Sequence, residues 1–165
     1  MPEIIDLYTG DVKVSQGNSL LITKAIASCV AIAVFDSFLR VGGMAHVMLP
    51  GKAPKSYDYE ESRFAQNAID SLVGQMEDKG CKTENMETIV VGGGNVLRRE
   101  QDSVGMDNLQ SVKDILQDKK IKIVAEESGG YERRGLKLEV WSGKLYLSTG
   151  DDHFRPWVEF STNKN

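Results

Sequence analysis

At 165 residues, 41% of them apolar, the chain is long enough to bury a core of its own, and one domain over residues 1–165 is expected. A formal net charge of −4 argues against the basic face that nucleic-acid phosphates need, and no apolar run is long enough to span a bilayer as a helix. Two cysteines, Cys29 and Cys81, do not make a disulfide framework; with no basic-then-apolar leader after Met1, the expectation is a reducing cytoplasm and a free thiol.

From Glu3 to Val14, mixed apolar and polar residues broken by Thr9-Gly10 and Gln16-Gly-Asn-Ser19 predict a short strand or two. Leu20 to Ile26 is a further strand. Ser28 to Phe35 is apolar on both alternating faces, with Val30, Ile32 and Val34 on one and Ala31, Ala33 and Phe35 on the other. Such a strand belongs inside a sheet covered on both sides. The short Asp36 to Arg40 link predicts a hairpin with Val41 to Leu49. After a Pro50-Gly-Lys-Ala-Pro54 loop, Tyr57 to Lys79 is expected as the longest helix, with Phe64, Ala65, Ala68, Ile69, Leu72, Val73 and Met76 at helical spacing and Gly80 as its cap.

Cys81 follows as an inert thiol in a junction. Glu87 to Val91 is a strand leading into Gly92-Gly-Gly-Asn95. That run fits neither a dinucleotide fingerprint nor a P-loop, and a sharp turn or close backbone approach explains its glycines. A second helix is expected over Met106 to Lys119, then a strand over Ile121 to Ala125 and a hairpin of Leu136 to Trp141 with Lys144 to Ser148. Asp151, Asp152 and His153 are adjacent and lack the spacing that converges on a metal ion, so a solvated loop is expected there. Two helices and about eight strands without strict alternation predict an α+β domain with the helices on one side of a sheet layer.

Chemistry concentrates in residues 20 to 50, which hold one of two cysteines and one of two histidines. Buried neighbouring strands would bring the Cys29 thiol to the His46 imidazole, the minimal nucleophile and base for attack on an amide carbon. Taken alone, such a cysteine is most often a small buried hydrophobe, and such a histidine fits a core position satisfied by a backbone carbonyl. Ala25, Ala27 and Ser28 before the cysteine, and Gly42-Gly43 before the histidine, leave room for a substrate.

The pattern Thr23, then Ser28-Cys29-Val30, then Gly42-Gly-Met-Ala-His46-Val-Met-Leu-Pro50, resembles the CheD family of chemoreceptor glutamine deamidases. Gly92-Gly-Gly-Asn95, Gly105 with Asn108, and Ala125-Glu-Glu-Ser-Gly-Gly130 follow in family order, so the resemblance covers residues 3 to 148. It implies Cys29 as nucleophile, His46 as general base and acid, and Thr23 as third member, with no metal or organic cofactor. It also implies the fold of the cytotoxic necrotizing factor deamidase domain, a two-layer β-sandwich with helices on one side.

The substrates implied are glutamines on cytoplasmic helices of methyl-accepting chemotaxis receptors, with a CheC-like CheY-phosphate phosphatase as partner. Three features depart from the family pattern. Lys24-Ala-Ile-Ala27 stands where glycines are usual, Gly105-Met-Asp-Asn108 lacks the family's arginine, and the tail from Thr149 has no counterpart. The first of these motivates an alternative, a non-catalytic module that binds a CheC-like partner. A toxin-like deamidase or transglutaminase fits the same residues but lacks a secretion signal.

Overall fold

The computed structural model describes residues 1–161. Among these, ten strands occur in chain order: β1 (Glu3–Leu7), β2 (Val12–Gln16), β3 (Ser19–Ile26), β4 (Val30–Asp36), β5 (Val41–Val47), β6 (Met86–Gly92), β7 (Lys122–Ser128), β8 (Arg134–Glu139), β9 (Lys144–Thr149) and β10 (Arg155–Glu159). Helix α1 (Ala65–Asp78) lies between β5 and β6, and α2 (Val104–Asp118) between β6 and β7. The strands form two five-stranded sheets, ordered β1-β3-β8-β9-β10 and β2-β5-β4-β6-β7.

The apolar alternation of β4 explains the layering. Val30, Ile32 and Val34 join a core with the stripes of α1 and α2, whereas Ala31, Ala33 and Phe35 join a second core with Leu21, Leu136 and Leu138 of the other sheet. Sealing both faces makes the molecule a β-sandwich with both helices on one outer side, the α+β arrangement expected. Each large aliphatic side chain in these cores contributes about 1.5–3 kcal/mol by leaving water. No helix among the described residues is long and apolar enough to cross a membrane.

The hairpin of β4 and β5 forms as expected, with Ala31 opposite His46 and Val30 opposite Val47. Gly42 and Gly43 serve a different purpose from the one expected. A Cβ at Gly42 would lie 3.0 Å from Leu138 Cδ2, and one at Gly43 would lie 2.7 Å from Leu72 Cδ1. The room they leave is filled by the two cores, not kept for a substrate.

Helix α1 begins eight residues later than expected. Arg63 O accepts from both Met48 N and Leu49 N at 2.9 Å, which holds the chain extended, and Phe64 bridges to Leu49 as a strand residue. Its other end follows expectation. Gly80, at φ 93°, lets its own N–H reach Glu77 O at 2.9 Å and that of Cys81 reach Met76 O at 3.1 Å, closing the helix.

Helix α2 starts two residues early, at Val104. Strand β7 runs past Ala125 to Ser128 because it pairs in parallel with β6 as far as Gly92. Strand β10 was not expected at all. Pro156 and the charged residues around it hide an edge strand, which needs a ladder on one side only.

Candidate active site

Two sheets meet at the predicted triad. Thr23 is on β3 and His46 on β5, in opposite layers, and both are buried. Thr23 Oγ1 donates to Leu7 O at 2.9 Å and lies 2.7 Å from His46 Nδ1. A hydroxyl has one hydrogen, so with that hydrogen on Leu7 the imidazole carries its proton on Nδ1 and donates it to Thr23. Nε2 is then left with a lone pair, and it has no hydrogen-bond partner among the described residues. The histidine main chain is clamped by the β1–β2 turn, through Gly10 N to His46 O at 2.9 Å and His46 N to Asp11 O at 3.1 Å.

Cys29 is half-buried and precedes β4 by one residue. The bend that carries it leads directly into β4, where Ala31 is the cross-strand partner of His46. Thr23 and His46 are bonded, whereas Cys29 makes no hydrogen bond to Nε2. Catalytic contacts of this kind commonly tighten only when substrate arrives.

Burial raises the Cys29 thiol above its ordinary pKa, with its own main-chain amide opposing. Burial lowers His46 from 6.5 to about 4, opposed by the Asp11 carboxylate. Both shifts favour a neutral resting pair, thiol and imidazole, over a preformed thiolate and imidazolium. Cys81 is buried beside Asp36, and its pKa is pushed up to about 12, first by burial and then by that carboxylate. It stays an inert thiol.

The segment ahead of Cys29 borders two clefts. One, of about 460 Å³, takes in His46, Tyr8, Lys24 and Ala25, and another, of about 280 Å³, takes in Ala27, Ser28, Gly94 and Leu97. The small residues Ala25, Ala27 and Ser28 thus do border open space. Sequence reasoning assigned no function to Gly93, Gly94 or Asn108. Gly93 N donates to Cys29 O at 2.8 Å, Gly94 N to Ala27 O at 2.9 Å, and Asn108 Nδ2 to Ser28 O at 2.9 Å. The signal was the glycine run itself, since a Cβ at Gly92 would collide with the Cys29 carbonyl.

Comparison with known proteins gives the family. The matching family is described as CheD chemotactic sensory transduction, over residues 48–149. The chain is 35% identical over 151 residues to the probable chemoreceptor glutamine deamidase CheD of Chlorobium luteolum, covering 92% of this chain and 75% of that protein. It is 32% identical over 138 residues to the chemoreceptor glutamine deamidase CheD of Thermotoga maritima, covering 84% of this chain and 87% of that one. This chain belongs to the CheD family. The family match itself begins after His46, but the Chlorobium relative aligns over too much of the chain to miss positions 23 to 46.

Where the CheD pattern leads one to expect glycines before the cysteine, this chain has Ala25 at φ 56°. The left-handed region costs a side-chain-bearing residue about 1–2 kcal/mol, while glycine's freer unfolded state offsets about 0.4–1. Ala25→Gly is therefore expected to stabilise the fold by about 0.5–1 kcal/mol. Urea denaturation midpoints check this, and a lower midpoint for the variant would show that the alanine is not strained.

Proposed function

We propose that this protein hydrolyses the side-chain amide of glutamines on chemotaxis receptors, leaving glutamate and ammonia. The observation that carries this reading is the Thr23–His46 hydrogen bond of 2.7 Å, which leaves Nε2 without a partner and free to act as a base. The names of the CheD relatives support the substrate.

In this reading Cys29 Sγ attacks the amide carbon as its proton passes to His46 Nε2. Oxyanion charge is met by main-chain N–H donors, that of Cys29 among them. The imidazolium then protonates the departing amine, which leaves as ammonia, and a thioester remains. Water, deprotonated by the same Nε2, attacks the thioester carbon and releases glutamate and the thiol. Thr23 acts throughout by holding the tautomer, accepting from Nδ1–H while tied to Leu7. The neutral resting pair means that the thiolate forms as attack proceeds, which spares a buried site two standing charges.

The resemblance adds a CheC-like phosphatase as partner, and a cytoplasmic setting and a single deamidase domain over residues 1–165 complete the reading. Incubation with a receptor cytoplasmic fragment, followed by peptide mass measurement, tests the reading. A gain of about one dalton at particular glutamines is expected from exchange of an amide for a carboxylate. No gain on receptors from the same organism would defeat it and leave the non-catalytic module as the better account.

A further inference from the structure

We infer that Asn108 is a positioning residue for the nucleophile: its side-chain amide holds the Ser28–Cys29 peptide so that the Cys29 N–H faces the reacting group. This rests on the deamidase reading and adds to it a residue in a different element from the triad.

Asn108 is on α2 and fully buried. A buried carboxamide is costly unless its hydrogens are used. Both are used here, on main-chain carbonyls distant in sequence, while Oδ1 has no partner among the described residues. Nδ2 lies 2.9 Å from Ser28 O and 3.0 Å from Met48 O. Two acceptors at one end fix which way the amide is turned, because only the NH2 end can serve both.

The geometry of a trans peptide does the rest. No cis bond occurs among the described residues, and across a trans peptide C=O and N–H point in opposite directions. Drawing Ser28 O toward α2 therefore turns the Cys29 N–H away from the helix. Gly93 and Gly94 hold the carbonyls of Cys29 and Ala27, so all three carbonyls of the loop are bound and its orientation is set.

Gly105, three residues earlier on α2, allows the helix this close. A Cβ there would stand 2.6 Å from the carbonyl oxygens of Gly93 and Gly94. The second bond, to Met48 O, ties the same side chain to the chain two residues past His46. One amide thus fixes the nucleophile's loop relative to the strand that carries the base.

The test compares the parent with Asn108→Ala and Asn108→Ser, with rates taken per folded molecule by circular dichroism. Two readouts are used, deamidation of the receptor fragment and alkylation of Cys29 by iodoacetamide. Alkylation displaces iodide at a saturated carbon and needs no oxyanion donor. Asn108→Ala is expected to lower kcat about tenfold to a hundredfold, with KM and alkylation rate within about threefold of the parent. Asn108→Ser, which keeps one donor, is expected to fall between. Unchanged kcat in both variants overturns the inference alone, as does a loss carried by KM or an alkylation rate that falls in step with kcat. Failure of both variants to fold assigns Asn108 to the scaffold and overturns it too. A parent inactive on the fragment removes the deamidase reading and this inference with it.

Discussion

Cys29→Ala is expected to abolish receptor deamidation, lowering the rate by about four orders of magnitude or more, because it removes the proposed nucleophile and the Thr23 hydroxyl is committed to Leu7 O and His46 Nδ1. The only other thiol, Cys81, is buried in the helix-side core with its pKa pushed up to about 12, so it offers no substitute. The fold should hardly notice. Cys29 is half-buried, belongs to neither core, and its sulfur is not bonded to His46 Nε2. A change of about 0.5 kcal/mol or less corresponds to about 2 °C in melting temperature for a domain of this size. The measurement pairs peptide mass analysis with a thermal melt. Retained deamidation would remove Cys29 from the chemistry, while a large drop in melting temperature would mark it as a structural residue.

The second large effect is loss of stability in acid, traceable to His46. Its folded pKa of about 4 is below the ordinary 6.5, so between those values the unfolded chain binds a proton that the folded chain refuses. Stability therefore rises with pH across that window. It is undiminished by this group above 6.5, falls as pH drops toward 4, and changes no further below. Over the whole interval His46 accounts for a loss of about 3 kcal/mol. Urea denaturation of the parent and of His46→Gln at pH 7 and pH 4 isolates the contribution, since other titrating groups are common to both. The parent should lose about 3 kcal/mol more than the variant. Equal losses would mean that the imidazole titrates normally and sits in contact with water.

Much of this site could be read from the sequence, because its chemistry lies in one short stretch. Cys29, His46 and Thr23 fall within 24 residues, and the double-faced apolar run of β4 forecast a strand sealed by two layers. The errors came where long-range contacts overrule local pattern. Phe64 keeps helical spacing with Ala68, yet its main chain belongs to a bridge with Leu49. Gly42-Gly43 looked like space for a substrate because Leu138 and Leu72, distant in sequence, cannot be placed against them without coordinates. Asn108 was visible only as a motif letter. Its partners are 80 and 60 residues away, beyond any periodicity argument.

The hydrogen bond from His46 to Thr23 crosses between layers, and that has a mechanical corollary. In the proposed mechanism the base rides on one sheet, while the group that sets its tautomer rides on the other. Sliding one sheet past its neighbour by an ångström would mistune the imidazole while every strand kept its own ladder. Reactivity is thus calibrated by the interlayer packing of residues such as Phe35 and Leu138, well away from the sulfur, and drift in sequence there can dial turnover up or down with no change at the reacting atoms.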